Sequence, residues 1–129
     1  MTMKLLIVED SAPMREMIRL MALSEADEAR ECADGESSLL AYAEFQPDWV
    51  TMDLSMPGMD GLTATRRLKE RYPDARVVVV TQHGERSMRE AALEAGAAHY
   101  FLKDNLRELR ALVRGGTGTT LASRANSRK

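Results

Sequence analysis

The chain has 129 residues, 44% of them hydrophobic, with a formal charge of −2 and a single cysteine. That length suits one domain able to bury its own core, and the lone Cys32 excludes a disulfide framework and reads as a packing residue. No apolar run approaches the roughly 20 residues of a membrane helix, and the lead from Met1 to Lys4 is too short for a signal region, so the sequence predicts a soluble protein of the reducing cytoplasm with no membrane contact.

Strand 1 is the apolar run Leu5-Leu6-Ile7-Val8, closed by Glu9-Asp10. Helix 1 starts near Ser11 and Pro13, a cap residue followed by a proline suited to a first turn, and is expected to turn Met14, Met17, Ile18 and Met21 inward. Strand 2, over residues 29–33, has poor strand propensity, which an edge position explains. Asp34-Gly35 opens helix 2, with Leu39, Leu40 and Ala43 expected inside, and Pro47 ends the connection. Strand 3 runs over 48–53 and finishes on Asp53, just before the sharp turn Met56-Pro57-Gly58. Asp60-Gly61 begins helix 3, which buries Leu62, Thr65, Leu68 and Tyr72 and exposes Arg66, Arg67, Lys69 and Glu70.

Strand 4 is four valines from Val77, apolar at every position and therefore covered on both sides, and it ends on Thr81. Helix 4 offers only Met88, Ala91, Ala92 and Ala95 as a thin stripe before Gly96 closes it. Strand 5, residues 98–102, leads into Lys103. Helix 5 follows with Asn105 and Glu108 at capping-box spacing and Leu106, Leu109 and Val113 inward, and Gly115-Gly116 stops it. Charge is uneven: residues 1–102 carry 11 Lys and Arg against 18 Asp and Glu, and residues 103–129 carry 7 against 2. The basic end has no aromatic side chain for base stacking, so residues 115–129 read as a polar basic tail or linker, and residues 1–114 are not expected to touch nucleic acid.

Five β-then-α units without a hairpin signal predict an α/β fold: a doubly wound, five-stranded parallel sheet with helices on both faces. Right-handed crossovers favour the flavodoxin-like order 2-1-3-4-5, which sets strands 1 and 3 side by side and brings Asp10 to Asp53. Four strands thus end in chemically able residues on the side where open α/β sheets bind ligands. Glu9, Asp10 and Asp53 would repel one another unless a cation sat among them, and hard oxygen ligands in that number suit Mg²⁺ together with a phosphoryl group. Lys103 supplies a point positive charge and Thr81 a hydroxyl donor. The set describes a phosphorylatable Asp53, whose chemistry is mostly positioning and charge neutralisation.

With Glu9-Asp10, Asp53 followed by Met56-Pro57-Gly58-Met59-Asp60-Gly61, Thr81, Tyr100 and Lys103 in this order, residues 4 to about 114 resemble the response-regulator receiver domain of two-component signalling. The resemblance implies a phospho-receiver domain over 1–114, a signalling switch rather than a turnover enzyme. Asp53 would accept a phosphoryl group from a histidine kinase or phosphotransfer protein. Asp10 and Asp53 would ligate Mg²⁺, Glu9 would do so through water, and Ser55 would offer its backbone carbonyl. Lys103 and Thr81 would contact the phosphoryl group. Thr81 and Tyr100 would form a switch pair: the hydroxyl is drawn to the phosphoryl group, Tyr100 turns inward, and the helix 4, strand 5 and helix 5 surface changes for a downstream target or attached output domain. Three positions depart from the pattern: Glu9 stands where Asp is more frequent, Asp104 follows Lys103 in place of a proline, and Gln82 follows Thr81 where a small residue is usual, which places Gln82 on the path to the phosphoryl group.

Rival readings fit less well. A haloacid-dehalogenase-type phosphohydrolase needs a second Asp two residues after the nucleophile, and here that position is Ser55. A dinucleotide fold needs a glycine-rich turn after strand 1, where this chain has Glu9-Asp10-Ser11-Ala12-Pro13. An EF-hand loop from Asp53 would place Pro57 and Ala64 at ligand positions. A receiver-like module that binds partners without phosphorylation is the remaining alternative, and the intact acidic, Thr81 and Lys103 set speaks against it. His83 and His99 read as ordinary loop and strand residues.

Overall fold

The structure, a computed structural model, describes residues 2–115; the predicted tail lies, from residue 116 onward, outside the described residues. The elements alternate as β1 (Lys4–Val8), α1 (Ala12–Ala22), β2 (Glu28–Cys32), α2 (Gly35–Phe45), β3 (Trp49–Met52), α3 (Gly61–Arg71), β4 (Val77–Thr81), α4 (Arg86–Glu94), β5 (His99–Leu102) and α5 (Leu106–Arg114). All strand pairs are parallel and the sheet order is β2-β1-β3-β4-β5, as the sequence predicts. No helix among the described residues is long and apolar enough to cross a membrane.

Side chains alternate across each strand, so one strand feeds two cores. Leu5, Ile7, Val78 and Val80 point to the layer formed by α1 and α5, where Ile18, Leu109 and Leu112 meet them. Leu6, Val8, Val50 and Val77 point to α2 and α3, against Ala41, Ala64 and Leu68. A smaller cluster of Leu54, Val79, Ala92, Ala97 and Tyr100 lies under α4. This helix fully buries only Ala92 and has no side-chain cap bond, in keeping with its thin stripe.

Three expectations about helix faces are corrected. In α1 the inward row is Met14, Ile18 and Ala22, spaced by four, while Met17 and Met21 are exposed. The helix carries apolar residues on more than one side, and packing against α5 selects the row that fits. In α2 Leu39 packs inward but Leu40 and Ala43 are exposed, because Gly35, Ser38 and Ala41 form the buried row. Small residues are needed there: a Cβ on Gly35 would stand 2.9 Å from the Met59 carbonyl oxygen. Lys69, expected in solvent, is half-buried instead, its ammonium donating to the carbonyls of Pro73 at 2.6 Å and Ala75 at 2.7 Å. The capping box predicted for α5 is also absent, since Asn105 makes no side-chain cap bond. Tyr72, at the end of α3, is half-buried and stacks on Tyr42 with ring centroids 4.5 Å apart.

Candidate functional site

The site forms where the strands end and the backbone ladders run one residue further. The Glu9 N–H donates to the Cys32 carbonyl at 2.9 Å, Asp53 N–H to Val8 at 3.0 Å, and Lys103 N–H to Thr81 at 2.8 Å. These bonds fix the backbone of the polar residues as firmly as that of the strands, so their side chains project from a rigid rim.

Behind Asp53 the turn is closed by glycine. Gly61 N–H donates to the Leu54 carbonyl at 3.1 Å, and a Cβ on Gly61 would stand 2.0 Å from the Asp53 carbonyl oxygen. No side chain larger than hydrogen fits there. Asp60 then caps α3, its carboxylate accepting the Thr63 N–H at 2.8 Å. Of the other four helices that open at this end, α1 and α2 are capped alike, by Ser11 and Asp34, whereas α4 and α5 have no side-chain cap.

Glu9, Asp10 and Asp53 each bring a carboxylate oxygen within 4.8 Å of the other two. Asp10 is exposed, whereas Glu9 and Asp53 are only 1% and 3% exposed. Lys103 reaches in between them, its ammonium 3.1 Å from Glu9 Oε1 and 3.5 Å from Asp53 Oδ1. Burial raises the Glu9 carboxyl above its ordinary value and the Asp53 charge adds to the rise, against the pull of Lys103 and the Ser11 N–H. Burial likewise raises Asp53, opposed by Lys103 and the Ser55 N–H and supported by Asp10. The net upward direction at both means that the cost of burying these carboxylates is not offset by Lys103 and the neighbouring N–H groups. Glu9 Oε1 is also buried without hydrogen-bond geometry to any partner, despite its nearness to Lys103. A buried acceptor left in this way, inside a cluster of hard oxygen donors, fits a divalent cation such as Mg²⁺.

On the other side of Asp53 lie Thr81, fully buried, and Tyr100, 6% exposed. Thr81 Oγ1 accepts the His83 N–H at 3.3 Å. Tyr100 is turned inward, its hydroxyl donating to the His83 carbonyl at 2.5 Å, with the Arg89 guanidinium 5.1 Å from its ring centroid. Ser55 is exposed and shares a 2.7 Å hydrogen bond between its Oγ and His83 Nε2. Gln82 is exposed on the same loop. Glu9, Asp10, Asp53, Thr81, Lys103, Ser55 and Tyr100 therefore gather at one end of the sheet. The residue that sequence reasoning passed over is His83, and no spacing rule would have found it, because its partners come from three separate segments. His99, by contrast, is an interior strand residue between Trp49 and Phe101.

Residues 5–114 match the family model for the response regulator receiver domain. The chemotaxis protein CheY of Bacillus subtilis is 38% identical over 104 residues, covering 80% of this chain and 87% of that protein. The transcriptional regulatory protein DegU of Brevibacillus brevis is 34% identical over 103 residues, which are 78% of this chain and 44% of its own length. A crystal structure of a putative response regulator from Chloroflexus aurantiacus superposes with a TM-score of 0.78 at 31% identity, covering 84% of this chain and 92% of that one.

Proposed function

Because the chain belongs to the response-regulator receiver family of two-component signalling, we propose that it is a switch driven by phosphorylation of Asp53 within a receiver unit spanning residues 1–114. The observation that carries this reading is the buried Asp53 carboxylate held between Lys103 and two further carboxylates, with a buried oxygen of Glu9 left without a hydrogen bond. An Asp53 oxygen attacks the phosphorus of a phosphohistidine on a kinase or phosphotransfer protein. The new O–P bond forms as the P–N bond breaks, and the imidazole nitrogen leaves with the electron pair. Lys103 offsets charge on the phosphoryl oxygens. Thr81 already accepts a bond from the His83 N–H, so its own proton is free to be donated to the phosphoryl group. Asp10, Asp53 and the Ser55 carbonyl would hold Mg²⁺, with Glu9 acting through water. The ion would neutralise the acidic cluster and the incoming phosphoryl charge.

The protein's role is signalling, its chemistry limited to its own phosphorylation and dephosphorylation in the cytoplasm. The output passes to a downstream target or an attached output domain through the surface of α4, β5 and α5, where Arg89, Arg107 and Arg110 are exposed. Incubation with acetyl phosphate and Mg²⁺, followed by intact-mass measurement, should give one phosphoryl adduct that is lost in Asp53→Asn and suppressed by excess EDTA. An adduct that survives either treatment overturns the assignment. Amide exchange with and without beryllofluoride should change most between Gln82 and Leu102. Changes confined to α1 and α2 would instead favour a module that binds partners without a phosphorylation switch.

A further inference from the structure

His83 joins three parts of the site through three different atoms. Its ring shares the 2.7 Å hydrogen bond with the Ser55 hydroxyl, on the loop that follows Asp53. Its N–H donates to Thr81 Oγ1, and its carbonyl accepts the Tyr100 hydroxyl. The two main-chain bonds could be made by any residue but proline with this backbone. The ring bond could not, and it is a direct side-chain link between the loop after β3 and the loop after β4.

From this the geometry points to His83 as a positioning residue: its imidazole, tied to Ser55, sets the place of the backbone carbonyl that holds Tyr100 inward. Its functional consequence rests on the phosphorylation reading above. Movement of the Asp53 loop would pull on the ring, and the ring on the Tyr100 acceptor, giving the phosphoryl site a second mechanical route to Tyr100 alongside Thr81. A single flexible loop carrying Tyr100's acceptor would otherwise sample many positions; a side-chain tether at its second residue restricts it to the one seen. By linkage, a tether that favours the inward Tyr100 also favours whatever ligand prefers that arrangement.

A coupled pair of substitutions tests the tether, since coupling is what separates a link from two neighbours. Replacing the protein's three tyrosines with 3-fluorotyrosine and assigning the signals with Tyr→Phe variants gives a ¹⁹F resonance for Tyr100. His83→Ala keeps both main-chain bonds, so a purely local structural role leaves that resonance in place. The tether predicts that Ser55→Ala and His83→Ala each move it in the same direction and that the double variant moves it no further. His83→Gln, whose amide nitrogen reaches about as far as Nε2, should restore it. In beryllofluoride titrations with Mg²⁺, each alanine variant should bind about fivefold more weakly, again without addition in the double variant. An unmoved Tyr100 signal in Ser55→Ala, or effects that add, overturns the tether. The resonance is read before any phosphoryl analogue is added. A protein that takes no adduct on Asp53 therefore refutes the phosphorylation reading, while the Tyr100 signal still decides for or against the tether.

Discussion

The two ends of the sheet carry acidic residues in opposite conditions. At the amino end two carboxylates, Asp27 and Asp48, have been given donors. Asp48 accepts the Lys4 N–H at 2.8 Å. Asp27 accepts N–H groups from Met3 and Ser24, both at 2.9 Å, the Ser24 hydroxyl at 3.0 Å, and the Arg114 guanidinium. Burial alone would raise the Asp27 carboxyl, but the Ser24 and Met3 N–H groups, with Arg114, outweigh it and hold it below its ordinary value. At the carboxyl end burial of Glu9 and Asp53 is not outweighed, and both are raised. The same residue type therefore ties the chain together at one end and stores repulsion at the other. The satisfied end has its ligands built in, while the strained end is matched to ligands that arrive.

If that contrast is right, the largest effect comes from breaking the satisfied end. Arg114→Ala should cost about 2 kcal/mol in urea unfolding, since it strips one charge-assisted donor from a carboxylate that keeps its Met3 and Ser24 donors, and should leave phosphoryl labelling of Asp53 unchanged. A loss below about 1 kcal/mol would make the pair an ordinary surface contact. The sign with pH follows from the lowered carboxyl: its stabilisation is fully present above the ordinary value of 3.8 and is lost as pH falls below it. The acid limb of the stability curve should therefore be shallower in Asp27→Asn than in the parent protein.

The converse substitution at the strained end should stabilise. In EDTA, Asp53→Asn is expected to gain about 1–2 kcal/mol, because one of three crowded carboxylates is neutralised without changing its size. Millimolar Mg²⁺ should shrink that gain by stabilising the parent protein alone, and a variant that is destabilised in EDTA would count against stored repulsion. A smaller effect belongs to His99, which burial holds below its ordinary value of 6.5. Its contribution is complete above pH 6.5 and falls away as the pH drops, because the unfolded chain takes up the proton first. His99→Phe should flatten stability between pH 7 and pH 5, as read by thermal melts, and an unchanged slope would discount His99. The smallest expected change is kinetic. If Gln82 screens the aspartyl phosphate from water, Gln82→Ala should release phosphate about twofold faster, roughly 0.4 kcal/mol in the barrier, and equal or slower release would show that it does not.

The strand order, and the gathering of Asp53, Thr81 and Lys103 at one end of the sheet, could be read from the sequence for one shared reason. Four of the five strands are short, mostly apolar runs that stop on a polar residue, and a parallel sheet forces all such stops to one side. Asp53, Thr81 and Lys103 needed no tertiary information beyond that. The rotation of α1 was not legible, because Met14, Met17, Ile18, Leu20 and Met21 allow more than one inward row and only the fit to α5 selects among them. The pairing of Asp27 with Arg114 spans 87 residues, and the His83 tether depends on how two loops lean together. Both are properties of assembled elements and not of any local pattern.

Gly61 has a consequence for anyone who wishes to move the proposed phosphoacceptor into another protein. Because the first turn of α3 rests directly on the main chain of Asp53, strand, turn and helix behave as one rigid part. Transplanting the aspartate alone would carry over its carboxylate but not its aim. Residues 50–65 would have to travel as a block, and the recipient scaffold would need open room where Met59 and Ala64 now meet Gly35 of the neighbouring helix.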